Sequence, residues 1–358
     1  MARKISAAFT LAAALAVGPA LAQQTPQPPR ADEAAAAQQV ERQRTQPLNN
    51  APIWREVRSG APQSTTVRGI ETDVLVQPRG ETWRQARVPI AFWGGVLLAL
   101  SIAGLAAFYL VRGPLGADDR PTGRLIERFS VADRAAHWLL AIAWVILAIT
   151  GLVLSLGKEI LLPLIGYTLF SALATIAKNL HNFVGPVLIV AVPWLFLRFV
   201  RDNGIGREDV KWLLKLGDFL RGREYPSGRF NGAEKLLFWI LLVVLTTTLL
   251  VTGLILNFPN FGQGRVTMQN ASLIHMIAAY LAIALAMLHI YVGTIGVKGA
   301  YQGMRTGYVD ETWAKHNHAY WYEDVKAGRA RQKFAQPGEG PAEGAAPAVD
   351  APRAAPQA

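Results

Sequence analysis

The chain has no cysteine among its 358 residues. That absence excludes disulfides, covalent haem attachment through a C-x-x-C-H motif, and thiolate-held iron-sulfur clusters on this polypeptide. Electron chemistry, if any, must use histidine-held metal or clusters on a partner. Charge is also scarce, at 17% of residues against 51% hydrophobic. One long apolar stretch, Val88 to Val111, contains no His, Asp, Glu, Lys or Arg at all. The formal charge of +11 lies in residues that cluster outside the apolar runs, which suits a membrane protein with basic flanks and argues against a nucleic-acid partner.

Met1 to Ala22 has Arg3 and Lys4, an apolar run from Ile5 to Val17, a Gly18-Pro19 break and then Ala20-Leu21-Ala22. This is the pattern of a cleavable secretory signal peptide, residues 1–22, and it places the next segment of the chain in the periplasm. Residues 23–87 read as a periplasmic extension, partly disordered. The stretch 23–50 is rich in Gln, Ala and Pro, with too little apolar surface to offset the entropy of ordering. In 51–87, Ile53, Trp54, Val67, Ile70, Val74, Leu75, Val76 and Trp83 occur among Gly and Pro, suggesting short extended pieces. ETDVLVQ there has strand character, and the segment suits a docking strap for a periplasmic partner.

Five membrane spans are predicted. Residues 88–111 form an extra N-terminal transmembrane helix packed at the periphery. The loop 112–134 carries Arg112, Arg120, Arg124, Arg128 and Arg134, which places it in the cytoplasm. Residues 135–297 hold the other four spans: 135–156 outward, 181–199 inward, 235–256 outward and 272–296 inward. Between the first two of these, residues 161–180 read as an interfacial or re-entrant segment. Residues 198–224 read as a basic, partly amphipathic cytoplasmic surface loop. The tail 298–334 is cytoplasmic, and 335–358 is disordered. The fold class is an all-α, multi-pass membrane protein of the bacterial inner membrane, with a periplasmic mature N-terminus and a cytoplasmic C-terminus.

The last span, SLIHMIAAYLAIALAMLHIYVGTIG, carries His275 and His289. Fourteen residues at about 100° each leave both rings on one face to within roughly 40°, about 21 Å apart along the axis. Imidazoles are costly in lipid and face the bundle interior, marking a pathway or a cofactor. His137 begins an outward span and so lies near the cytoplasm, whereas His181 begins an inward span and lies near the exterior. Depth therefore matches His181 with His275 and His137 with His289. Two imidazoles from two helices fill both axial positions of a haem b, so two haems b would form a wire across the hydrocarbon. His316 and His318, in the hydrophilic tail, read as ordinary surface groups.

Gly185 and Gly293 lie one turn after His181 and His289, and Gly151 comes after His137 on its face but at exterior depth. Glycine there lets a flat ring approach the backbone, although close helix packing through small residues explains each as well. For haem propionates, Arg128, Arg134 and Lys298 are candidates inside and Lys178 outside. For each of these cations, flanking or snorkelling is the plainer reading.

The ordered stretches RFSVADRAAHW (128–138), HNFVG (181–185), RFNGAEKLLFW (229–239), LIHMIA (273–278), HIYVGTIGVKGAYQGM (289–304) and WAKHNHAYWY (313–322) closely resemble the cytochrome b (gamma) subunit of membrane-bound, quinone-linked formate dehydrogenases. The resemblance covers residues 124–330. Residues 23–123 lie outside what the compact four-helix members contain. The resemblance implies a four-helix transmembrane diheme cytochrome b core with the pairing above. It also implies two partners, an iron-sulfur (beta) subunit and a molybdenum or tungsten formate-oxidising (alpha) subunit, on the periplasmic side. Electrons would enter at the His181/His275 haem and leave at the His137/His289 haem. A quinone, menaquinone or ubiquinone, would be reduced beside His289, with Asn231 and Gly293 lining the site. Glu234 stands where the compact form has Gln, and it is a candidate proton source. The runner-up is a diheme cytochrome b of a hydrogenase or of a thiosulfate or polysulfide reductase. A non-redox membrane anchor with structural histidines is the reading from another class.

Overall fold

The computed structural model describes residues 78–116, 120–221 and 225–336, with isolated positions at Glu41, Arg44, Thr45, Trp54, Arg58 and Ser59. The signal-peptide reading, the tether, the ETDVLVQ segment and the tail beyond residue 336 lie outside the described residues. In order, the elements are α1 (Pro78–Arg112), β1 (Leu125–Glu127), α2 (Val131–Ile160), α3 (Leu162–Val184), a 3₁₀ turn (Gly185–Val187), α4 (Leu188–Phe199), α5 (Arg207–Leu214) and α6 (Leu216–Leu220). After these come α7 (Gly232–Leu237), a π-helical stretch (Phe238–Thr246), α8 (Thr247–Asn257) and α9 (Arg265–Tyr291). The chain ends with a π turn (Val292–Gly296), α10 (Ala300–Thr306), β2 (Tyr308–Asp310), α11 (Glu311–Asn317) and α12 (Ala319–Lys326).

Among the described residues five helical spans are long and apolar enough to cross a membrane: Thr82–Arg112, Val131–Ile160, Leu162–Phe199, Gly232–Asn257 and Arg265–Gly296. The number and order agree with the sequence, and the chain is a multi-pass membrane protein. Protein buries 11% of the first span's apolar window against 28% of the fifth's, so the first is the least buried of the five. Its helix starts ten residues earlier than expected. Pro78 to Arg87, including Trp83, is helical rather than extended; Pro78 at the helix start has its missing N–H where none is needed.

The segment 161–180, read above as interfacial or re-entrant, is helical. It is α3, and it continues through the 3₁₀ turn into α4 as one 38-residue span. At about 1.5 Å per residue that run is near 57 Å, well over a hydrocarbon core of about 30 Å. The excess is absorbed at two breaks. Gly166 takes φ 74 and ψ 173 inside the helix, a backbone open to glycine alone at no cost. Pro186 tightens the 3₁₀ turn, since its ring cannot continue the α ladder.

Contacts divide the chain into two units. One gathers the described residues up to Leu100 with 143–189 and 241–284. Its buried core is built of small residues, Ala143, Ala177, Ala271, Ala278 and Ala282, with Leu98, Leu188 and Tyr280, as expected where helices pack by close backbone approach rather than by the hydrophobic effect. There, a Cβ on Gly94 would sit 2.3 Å from the Tyr280 ring, and the Tyr280 hydroxyl bonds Ser155 Oγ at 2.7 Å. Tyr280 therefore joins α1, α2 and α9.

The other unit gathers residues 101–142, 190–240 and 285–358. The tail from Lys298 onward, polar, basic and aromatic in sequence, is here a folded cap. β1 pairs antiparallel with β2, Ile126 opposite Val309, and residues 333–335 cover the free edge of β1: Glu127 N–H donates to Lys333 O and Ala335 N–H to Leu125 O. Ile126, Val309, Ala314, Trp321, Tyr322 and Val325 form its buried cluster. The fold is thus α-helical with a small two-stranded ribbon. The exit of α1 is tied down as well: Leu115 N–H donates to Gly296 O, and Lys298 N–H to Leu115 O.

Candidate functional site

His181 on α3 and His275 on α9 stand with ring centres 6.1 Å apart and planes at 72°. Both belong to the first unit. His137 on α2 and His289 on α9, both in the second unit, stand 6.2 Å apart at 59°. The two pairs are those that depth predicts. Two imidazoles sharing one metal, each nitrogen about 2 Å from it, have ring centres roughly 6 Å apart. Direct hydrogen bonding between the rings would bring them closer than this. Among the described residues no group of three or more His, Cys, Asp or Glu could cage a metal. Any further ligands must therefore come from a cofactor, and a macrocycle that takes two axial imidazoles fits the donor set.

The surroundings of His181 and His275 repeat one another. Thr150 Oγ1 lies 2.9 Å from His181 Nδ1, and Thr252 Oγ1 lies 2.9 Å from His275 Nδ1. Each threonine hydroxyl is already committed as a donor, Thr150 to Ile146 O at 2.7 Å and Thr252 to Thr248 O at 2.6 Å. The oxygen is therefore left to accept, each Nδ1 donates, and each Nε2 keeps its lone pair for a metal. The next residue on each helix is glycine. A Cβ on Gly151 would lie 3.3 Å from His181 Cε1, and one on Gly253 would lie 3.4 Å from His275 Cε1.

Gly151 thus stands beside His181, in keeping with its exterior depth. Thr150, Thr252 and Gly253 escaped sequence reasoning, yet a signal existed: L-x-x-T-G-L occurs at 147–152 and again at 249–254. A six-residue repeat on two spans carries meaning only once each copy is seen beside a histidine on the following span.

The other pair is dressed differently. His137 Nδ1 is buried with no hydrogen-bond partner among the described residues. A Cβ on Gly293, in the π turn just after His289, or on Gly185 would meet nothing within 4 Å. Asn231 and Glu234 have a structural duty that the sequence reading overlooked. They form a capping box at the start of α7, with Asn231 Oδ1 accepting from Glu234 N–H at 2.9 Å and Glu234 Oε2 accepting from Asn231 N–H at 2.8 Å. Glu234 Oε1 also pairs with Arg128 at 3.2 Å.

The expected propionate partners have partners of their own. Arg128 is 4% exposed and donates to Arg229 O as well as to Glu234. Arg134 donates to Arg305 O, and Lys298 is exposed. Behind Arg128 lies a buried polar lattice. Arg229 donates to Arg128 O, to Asp133 Oδ2 at 3.3 Å and to Asp202; Asp133 Oδ1 accepts from Arg198 Nε at 2.7 Å.

His318 is not a surface group. It is 2% exposed, its Nδ1 donates to Gly228 O at 2.8 Å, and it packs between Trp313 and Trp321. Burial, with the nearby Arg128 charge, pushes its pKa down to about 3, so the ring is neutral at physiological pH. Its hydropathic context hid this, because the cap that encloses it assembles from segments 90 or more residues apart. His316 is half-buried.

The fold and the two histidine pairs define a helical membrane protein with two bis-histidine sites. The prokaryotic cytochrome b561 family matches residues 128–307, a range that contains all four histidines. The chain belongs to this family, and as a cytochrome b it binds haem b. It is similar to the cytochrome b556(Fdn) subunit of the nitrate-inducible formate dehydrogenase of Escherichia coli K12, at 30% identity over 216 residues, 59% of this chain and 96% of the relative. It is likewise similar to the cytochrome b556(fdo) subunit of formate dehydrogenase of the same strain, at 31% identity over 206 residues, 56% of this chain and 93% of the relative. The formate dehydrogenase cytochrome b556 subunit of Haemophilus influenzae is 29% identical over 204 residues, 56% of this chain and 83% of that protein.

Proposed function

We propose that this chain is the membrane cytochrome b subunit of a formate dehydrogenase, carrying electrons from a periplasmic iron-sulfur partner to a quinone reduced near the cytoplasmic face. The observation that carries the reading is the recurrence of one geometry, 6.1 and 6.2 Å between histidine rings, at two places along α9. His181 with His275, and His137 with His289, would each hold one haem b. When bound, haem b would supply one-electron transfer.

The rest is the work of this chain's own residues. Thr150 and Thr252 fix the tautomers of His181 and His275. Gly151 and Gly253 leave each ring room against the backbone of the neighbouring helix. The α1 helix, held through Gly94 against Tyr280, supports the span that carries both His275 and His289. Near His289, Asn231 and Gly293 line the quinone site and Glu234, ion-paired with Arg128, relays protons to it, while the Arg128 and Arg229 lattice excludes bulk water from behind. Quinone reduction takes up two protons with two electrons. With electrons supplied from the periplasm and protons from the cytoplasm, charge separates across the membrane at about 2.3 kcal/mol per charge per 100 mV. The partners are an iron-sulfur subunit and a molybdenum or tungsten formate-oxidising subunit, in the bacterial inner membrane with the mature N-terminus periplasmic and the C-terminus cytoplasmic.

The test is a reduced-minus-oxidised spectrum of the purified complex with haem stoichiometry, alongside turnover of formate with a quinone analogue. Two haems b per chain and formate-driven quinone reduction are expected. Two haems with turnover on hydrogen or a sulfur compound instead would assign the chain to a different dehydrogenase. Absence of a b-type band would refute the reading altogether.

A further inference from the structure

The two histidine pairs are alike in spacing and unlike in what stands behind them. At one pair, both Nδ1 atoms face a threonine oxygen at 2.9 Å. Thr150 is 5% and Thr252 1% exposed, so neither bond competes with water. At the other pair, His137 Nδ1 is buried with no acceptor among the described residues. The matching environments come from two copies of the same L-x-x-T-G-L run, on α2 and on α8, and each copy serves a histidine on the following span.

We propose that Thr150 and Thr252 are a matched pair of positioning residues: each accepts the Nδ1 proton of one axial histidine, His181 or His275, and together they hold the haem of that pair at a lower potential than the haem of His137 and His289. This deepens the two-haem reading above and rests on it. A ligating histidine that donates its other N–H becomes a more basic ligand with a fixed tautomer and ring orientation. A more basic pair of ligands favours oxidised iron over reduced iron, and axial-ligand surroundings are one of the levers by which a protein sets a haem potential. The threonine oxygens are well suited to the task because their own protons are spent on Ile146 O and Thr248 O, so they act only as acceptors. Without an acceptor, His137 makes a less basic ligand, and its haem is the better electron sink. The two spans therefore encode a downhill order between the pairs, from the threonine-backed one to the other.

The experiment uses the purified complex with T150V, T252V, the double variant, and T150S and T252S as conservative controls. Haem content, optical redox titration and low-temperature EPR are read on each. A His275→Ala complex identifies which spectral component belongs to the His181 and His275 pair. Expected is two haems retained and the lower-potential component raised. The shift should be about tenfold in the reduced-to-oxidised ratio per valine, about 59 mV for a one-electron couple. Its EPR signal should broaden as ring orientation loosens, while the serine variants and the other component stay at wild-type values. Loss of that haem in the valine variants, with retention at native potential in the serine ones, also supports the acceptor role.

The proposal is overturned if both components keep their potentials, if serine shifts them as much as valine, if both substitutions expel the haem alike, or if the component that moves is the one surviving His275→Ala. Fewer than two haems per chain in the unsubstituted complex would instead sink the two-haem reading, and the threonine assignment with it. Two haems with unmoved potentials would sink only the threonine assignment.

Discussion

Asp133 gives the sharpest handle on how this protein holds the mouth of its second histidine pair. The carboxylate is 5% exposed and is shared by three segments. Oδ1 accepts from Arg198 Nε at 2.7 Å at the end of α4. Oδ2 accepts from Arg229 at 3.3 Å, just before α7, and from Ser130 N–H at 3.2 Å. Ser130 Oγ accepts Asp133 N–H in return at 3.3 Å, so the two close a capping box at the start of α2, one turn before His137. Asp133→Asn keeps the size and one carbonyl acceptor but removes the charge. The loss of charge-assisted bonding is about 1.5–3 kcal/mol, tempered because Arg229 keeps Asp202 and Arg198 is 39% exposed. Asp133→Ala also removes the cap and every side-chain acceptor at this position, leaving Arg229, 7% exposed, with Asp202 as its remaining carboxylate, for a total of about 2–5 kcal/mol. The assay is heating of the detergent-solubilised complex with the two b-type components followed separately. The component of His137 and His289 should bleach first, at lower temperature in Asp133→Asn and lower still in Asp133→Ala. A variant as resistant as the parent, or one that loses the His181 and His275 component first, would refute the reasoning.

Replacing His275 by Ala should remove one b-type component, abolish formate-to-quinone turnover and leave formate oxidation by an artificial dye intact; unchanged quinone reduction would contradict the assigned order. Asn231→Ala should weaken quinone turnover with both haems retained and, by removing a helix cap, destabilise by about 1 kcal/mol; loss of a haem instead would place it elsewhere. Gly94→Leu drives a side chain into the Tyr280 ring, which is anchored by Ser155. An overpacking penalty of about 1–3 kcal/mol should separate α1 from α9, read by a label at a cysteine introduced into α1 on the cysteine-free background; an unmoved label would argue against that contact. His318 binds a proton in the unfolded chain below about pH 6.5 but not in the folded one until about pH 3. The folded cap should therefore lose up to about 1.4 kcal/mol per pH unit as pH falls through that window. Protease resistance of residues 300–336 should fall between pH 7 and pH 5, and more gently in His318→Gln; equal slopes would rule the histidine out as the cause.

What the sequence alone determined are the properties that depend on a few neighbouring residues. The number and order of the spans come from apolar length, and the pairing of the four histidines from their depth along those spans, because a bilayer imposes one coordinate on every helix. The arginines after Val111 set an expectation for the sides of the membrane in the same way. Only the tertiary structure decided the properties that depend on a partner distant in the chain. Thr150 and Thr252 look like ordinary threonines inside apolar runs until each is found beside a histidine 31 or 23 residues away. His318 looks solvent-exposed until Ser227, Gly228 and two tryptophans close over it. Residues 161–180 look too irregular for a span until Gly166 supplies a bend within them and the 3₁₀ turn at Pro186 carries them on into α4. Burying a polar group requires that its hydrogen bonds be met, and which groups meet them is fixed by the approach of helices in space rather than by local pattern.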